Sequence, residues 1–182
     1  IKGWLNMSTS PEKLMEKYKN SNKENCLHAL YDMYNAPLYH YLLTLSDEAT
    51  GKDIAQSAWL KVIEKKSQYD SKKPFKPWLF KIARNLLVDH FRKQKKWDLF
   101  SGSEDEIPAP SDDNYAKEEK LTAFNNALLS LPIVQREAFI FQQEGFSLQD
   151  IAIMTGEQSE TIKSRLRYAR KTLKAKLGAH RE

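Results

Sequence analysis

A run of apolar residues repeating every three or four positions is the feature that most limits what this chain can fold into. After Pro77, Trp78, Leu79, Ile82, Ala83, Leu86, Leu87 and Phe91 return at helical spacing and define one buried stripe. Pro77 suits the first position of such a helix, where its missing amide costs nothing. The opposite stripe carries Lys81, Arg84, Asn85, Val88, Arg92 and Lys95. Between Lys72 and Lys96 nine cations face Asp89 alone, giving the segment a charge of about +8. A solvated basic face is the plain reading of that charge. Phe75, Trp78 and Phe80 stand among the cations, however, and rings beside phosphate-binding charges are how proteins hold single-stranded nucleic acid.

The same period organises most of the remaining chain. Ser10-Pro11-Glu12 reads as a helix start, with Ser10 as cap, and the helix carries Leu14, Met15 and Tyr18. Leu27, Leu30, Tyr31, Tyr34, Leu38, Tyr41, Leu42 and Leu45 form the next stripe, where Pro37 predicts a kink or break near Asn35-Ala36. Ser46 to Lys52 reads as a loop containing Gly51. A further helix from about Asp53 to Ser67 buries Ile54, Ala55, Ala58, Trp59, Val62 and Ile63.

From Asp98 to Glu119 the composition reverses. Eight carboxylates oppose Lys117 alone, while Pro108, Pro110, Gly102 and several serines break any period. A stretch this polar cannot offset its ordering entropy by burial, and it reads as a flexible linker of charge about −7. A solubilising tether is the plainer role for it, and intramolecular shielding of the basic regions on either side is the alternative. The expectation is therefore an all-α chain of two small helical domains, residues 10–97 and 120–178, joined by an acidic linker over 98–119.

The C-terminal unit resumes the helical period at Leu121, with Phe124, Leu128, Leu129 and Leu131, and Leu131-Pro132 marks a stop and restart. A helix with Ala138, Phe139 and Phe141 ends at Gly145. Ser147 caps a short helix holding Ile151, Ala152 and Met154, Thr155-Gly156-Glu157 turns the chain, and Ser159 caps a longer helix with the stripe Ile162, Leu166, Ala169, Leu173 and Leu177. Two helices across a tight glycine turn make a helix-turn-helix. The second exposes Thr161, Lys163, Ser164, Arg165, Arg167 and Tyr168 early and Arg170, Lys171, Lys174 and Lys176 later. Such an order places hydrogen-bonding groups where a helix enters a major groove and phosphate-binding charge behind them.

The totals are consistent with this. The 182 residues carry a net charge of +5, the pI is near 9.1, and the length suits one domain or two small ones. The single Cys26 forms no internal disulfide, which fits a reducing compartment. No apolar run approaches the ~20 residues that span a bilayer, no signal peptide is recognisable, and the expected location is cytoplasmic. Ile1–Asn6, ahead of Met7, read as lying outside the fold. His28, His40, His90 and His180 show no metal-ligand spacing, and no phosphate-cradling glycine loop is present. No catalytic residue, metal, cofactor or small-molecule substrate is expected.

SLQDIAIMTGEQSETIKSRLRYARKTL, preceded by LPIVQREAF, resembles region 4 of bacterial sigma factors, and KPFKPWLFKIARNLLVDHFRKQ with DIAQSAWLKVIEKKSQYD resembles region 2. Both halves in this order, with only a linker between, are similar to the extracytoplasmic-function class of the sigma-70 family. The resemblance implies a transcription initiation factor that binds core RNA polymerase, reads duplex DNA at the −35 element and captures the melted strand at the −10 element. It places polymerase contacts at Asp53, Gln56, Trp59, Leu60 and Ile63. It places −10 contacts at Lys81, Asn85 and Asp89 and in the loop Ser71–Lys76, beside Phe75, Lys76, Trp78, Arg84 and Arg92 of the same basic segment. For the −35 element it implies Thr161, Lys163, Ser164, Arg165, Arg167 and Tyr168, flanked by Ser159 and Lys171. An anti-sigma factor is a further partner implied in the same way. A stand-alone repressor or activator binding duplex DNA is the alternative, which leaves the aromatic-basic helix unexplained.

Overall fold

The computed structural model describes residues 9–94 and 117–178, with side chains from Thr122 onward in the second stretch. The described residues are helical apart from turns: α1 Pro11–Ser21, α2 Glu24–Leu43, α3 Glu48–Glu64, a 3-10 turn Lys66–Gln68, α4 Phe75–Lys93, α5 Lys117–Leu129, α6 Ile133–Gln143, α7 Leu148–Thr155 and α8 Ser159–Gly178. The linker expected over 98–119 lies outside the described residues as far as 116, and its last three positions belong to α5, which begins four residues before the expected Leu121.

Helices α1 to α4 pack on one another, and α5 to α8 form a second group gathered around α8. Local chemistry sets several of the ends. Ser10 caps α1 by accepting the Lys13 amide, and Asn22 closes it in the left-handed region. Ser147 and Asp150 form a reciprocal capping box at the head of α7. Gly156 then takes φ +74, which lets the helix-turn-helix turn as tightly as it does.

Six local expectations need correction. The break expected near Asn35-Ala36 is absent, since Pro37 sits inside a continuous α2: Leu38, Tyr41 and Leu42 after it are fully buried, and that packing carries the helix past the lost amide. Helix α3 starts at Glu48, capped by Asp47 accepting the Thr50 amide at 2.8 Å, so 48–52 is helical and Gly51 is buried against Leu43 and Tyr39. Helix α4 starts at Phe75, two residues before Pro77, because the Glu12 carboxylate of α1 accepts the Phe75 amide at 3.1 Å and serves as a cap from outside the helix. Val88, expected on the polar stripe, is buried, whereas Ile63, expected inside, is 39% exposed. Ser159 is the first residue of α8 rather than its cap.

The two groups are joined by α6 and α7 lying on α2 and α4. Tyr41 stacks on Phe141 at 4.6 Å, Phe80 meets Phe146 edge-on at 5.0 Å, and the buried side chains form one continuous cluster across the join.

Candidate nucleic-acid and polymerase interfaces

Three surfaces collect the residues singled out from the sequence. On α4, Lys81, Asn85 and Asp89 follow one another at four-residue steps, and all three are exposed. Arg92 is exposed one turn further on, 3.6 Å from Asp89. The other residues placed at the −10 element divide differently. Trp78 is half-buried against Tyr69 at 4.9 Å. Phe75 is fully buried, surrounded by the rings of Tyr34, Trp59, Tyr69 and Trp78. Starting α4 at Phe75 turns that side chain into the core, and in this arrangement its ring is closed to a base. Lys76 and Arg84 lie at the join with α6 and α7.

That join has a charged centre. Glu137 of α6 is fully buried. Its Oε1 accepts from Arg84 Nε at 2.9 Å and from Tyr41 Oη at 3.0 Å, and its Oε2 accepts from Arg84 Nη2 at 3.2 Å. Burial opposes the charge on Arg84, yet the Glu137 carboxylate holds its pKa above the usual value. Burial, with the same carboxylate nearby, pushes the Tyr41 hydroxyl well up, so it remains a donor. Beside this centre Arg136 donates to the Thr44 carbonyl at 3.1 Å and to the Leu131 and Leu129 carbonyls; burial pulls its guanidinium down to about 10, still charged at neutral pH. At the other end Lys76 Nζ lies over the Phe146 ring at 4.8 Å and the Phe80 ring at 5.6 Å, 3.5 Å from Glu144 Oε2 and bonded to the Glu144 carbonyl. Nothing in the spacing of QREAF marked Glu137 as a buried charge; only the tertiary join makes it one.

On α8, Lys163, Arg167, Tyr168 and Lys171 are exposed, while Ser159, Thr161, Ser164 and Arg165 are half-buried. Arg167 stacks over the Tyr168 ring at 5.2 Å. Arg165 is held by Glu157 of the turn at 2.7 Å, and Lys163 by Glu160 at 2.6 Å. These side chains form one polar, basic face opposite the buried Ile162, Leu166, Ala169 and Leu173.

The third surface is apolar. Between α2 and α3 runs a groove of about 510 Å³, lined on one side by Tyr31, Asn35 and Tyr39 and on the other by Gln56, Trp59 and Leu60. Leu60 is 59% exposed and Tyr31 45%, whereas Trp59 is a core residue whose indole N–H donates to Asn35 Oδ1 at 3.1 Å. Asp53 and Gln56 are exposed on the same helix as Leu60 and Ile63. The helical period hides α2's share of this surface: it puts Tyr31 in a buried stripe, and it marks neither Asn35 nor Tyr39 as lining a groove.

The family model for sigma-70 region 2 matches residues 30–96, and that for sigma-70 region 4 matches residues 121–173. The chain is 32% identical over 161 residues to the ECF RNA polymerase sigma factor SigL of Mycobacterium tuberculosis, covering 83% of this chain and 88% of that protein. It is 30% identical to the ECF sigma factor SigM of Bacillus subtilis, covering 80% and 91%. Among solved structures, it is similar to the sigma factor RpoE bound to the anti-sigma factor NepR from Bartonella quintana, with TM-score 0.67, 28% identity and coverage of 85% and 98%. The structure of CnrH with the cytosolic domain of CnrY shares the fold at TM-score 0.70 and 19% identity, covering 94% and 99%. With both regions matched in order, and the basic α4, the helix-turn-helix and the exposed α2–α3 groove all present, the chain belongs to the extracytoplasmic-function class of the sigma-70 family, transcription initiation factors that bind core RNA polymerase and direct it to promoters.

Proposed function

We propose a division of this activity among the three surfaces. Residues 10–97 dock on core polymerase through the α2–α3 groove and take up the melted −10 strand along α4, while residues 120–178 read the −35 duplex through α8. The observation that carries this reading is the exposed groove beside Leu60 and Tyr31, since a repressor acting alone on duplex DNA has no use for it. The chain supplies recognition and no chemistry of its own, in keeping with its family. It acts in the cytoplasm, in keeping with its family's work on promoter DNA. An anti-sigma factor is its regulatory partner; the similar RpoE was solved bound to one. Promoter-specific transcription on adding the purified chain to core polymerase tests the whole reading, and nanomolar sequence-specific binding to duplex DNA by the chain alone overturns it in favour of the repressor.

Two substitutions test the nucleic-acid surfaces separately. Asn85 offers both a donor and an acceptor on an exposed face, so it can bond a base edge. Asn85→Ala is expected to change stability by less than about 0.5 kcal/mol and to reduce promoter opening in a way that depends on the −10 sequence. Transcription equal to that of the unaltered chain on every −10 variant removes the assignment. Arg165→Ala or Lys163→Ala is expected to weaken −35 recognition by about 1–3 kcal/mol if the contact is to a base edge. A loss uniform across −35 sequences assigns the side chain to phosphate instead.

A further inference from the structure

The face of α4 that meets α6 has the composition of a single-strand site, cations flanking aromatic rings. Lys76 and Arg84 lie eight residues apart, with Phe80 midway and Tyr41 of α2 alongside. Opposite stands a sequence of acceptors and rings from the second group of helices. Glu137 takes Arg84 in a two-bond fork, Glu144 takes Lys76, and the rings of Phe141 and Phe146 rest on Tyr41 and Phe80. The two spacings match: seven residues from Glu137 to Glu144 and eight from Lys76 to Arg84 are each about two helical turns, roughly 11 Å. A carboxylate and a phosphate oxygen pair accept from a guanidinium in the same forked geometry.

We propose that α6 and the start of the following turn act as an internal mimic of a single-stranded polynucleotide, with Glu137 and Glu144 in the place of two phosphates and Phe141 and Phe146 in the place of bases. This rests on the reading of α4 as the strand-binding helix. The mimic covers only part of that helix. Lys81, Asn85 and Asp89 stay exposed, so what is masked is the sequence-independent contribution of charge and stacking, and the base-choosing face is left open. With the two groups packed in this way, the free chain is kept from binding single-stranded nucleic acid at random.

The test uses the full chain and a fluorescein-labelled random-sequence 20-nucleotide single-stranded DNA, read by anisotropy at several salt concentrations. Glu137→Gln leaves an amide against Arg84 and is expected to tighten binding about tenfold. The salt slope should steepen by about 0.7 for the regained phosphate contact. Glu144→Gln, at the rim of the join and safe for folding, is expected to tighten it about threefold. Glu64→Gln, on an exposed pair with Lys61, controls for the loss of one negative charge and should change binding less than about twofold. Adding Arg84→Ala to Glu137→Gln should remove the gain. If Glu137→Gln or, should that variant not fold, Glu144→Gln binds no more tightly than Glu64→Gln, the mimic is wrong. Opening of promoters by holoenzyme carrying Lys76→Ala or Arg84→Ala separates the two ideas: unaffected opening removes Lys76 and Arg84 from the strand-binding surface and the mimic with them, while the open face stands or falls with Asn85→Ala; impaired opening with unchanged free-chain binding overturns the mimic alone.

Discussion

Phe75→Ala is expected to destabilise the protein by about 3–5 kcal/mol, the cost of deleting a fully buried aromatic ring and leaving its cavity. The ring touches four others, with centroids 5.6 Å away at Tyr34, 5.9 Å at Tyr69 and Trp78, and 6.5 Å at Trp59. Those neighbours come from α2, α3, α4 and the loop after the 3-10 turn, so the void opens where the first group of helices meets and little can collapse into it. Aromatic pairs add about 0.5–1.5 kcal/mol each beyond area burial, which puts the estimate toward its upper end. For a chain of this length the loss amounts to a drop in Tm of about 10 °C. Urea unfolding followed by circular dichroism measures it. The stacking role expected from the sequence makes the opposite forecast: stability nearly unchanged and strand binding weaker by about 1–3 kcal/mol. A stability change below about 1 kcal/mol would return Phe75 to the nucleic-acid surface.

That reversal shows where sequence reasoning reached and where it stopped. The stripes of α1, α2, α4 and α8 were legible because burial follows the helical period, and Leu79, Ala83 and Leu87 are all fully buried as their spacing requires. Ser10 and Ser147 were legible as caps because that chemistry is local. The burial of Phe75 is not legible because what starts α4 is Glu12, sixty-three residues away in sequence, and no local pattern reports a cap from another helix. Pro37 was misread for the same reason: its local preference is to break, and the packing that overrides it is tertiary. The face of Lys81, Asn85 and Asp89 could be read from geometry alone, whereas the burial of Lys76 and Arg84 could not. Their partners Glu144 and Glu137 lie sixty-eight and fifty-three residues further along the chain, and no local pattern pairs them. Among the described residues, the carboxylates that meet these two cations stand on α6 and at its end.

Leu60→Asp is expected to lower affinity for core polymerase about a hundredfold while leaving the free protein's stability within about 0.5 kcal/mol. Leu60 is 59% exposed in the free chain, so its removal empties no cavity. A single exposed leucine is ordinary, but here Tyr31 at 45% shares the groove with it and Ile63 at 39% follows one turn along α3. Gln56, Leu60 and Ile63 recur at four and three residues, so one straight helix face presents them together. Burying Leu60 at a protein interface stabilises the complex by about 1.5–3 kcal/mol. An aspartate forfeits that and carries a charge into a desolvated contact, which raises the cost into the range of an interface hot spot, at least about 2 kcal/mol. Leu60→Ala should lose only the first part, about tenfold in affinity. Asn85→Ala, at a residue that does not line the groove, should bind polymerase normally and fail later, at promoter opening. Competition for core polymerase against the unaltered chain distinguishes these outcomes, since it reads docking before any DNA is present. A Leu60→Asp chain that competes as well as the unaltered one would remove the groove from the polymerase interface.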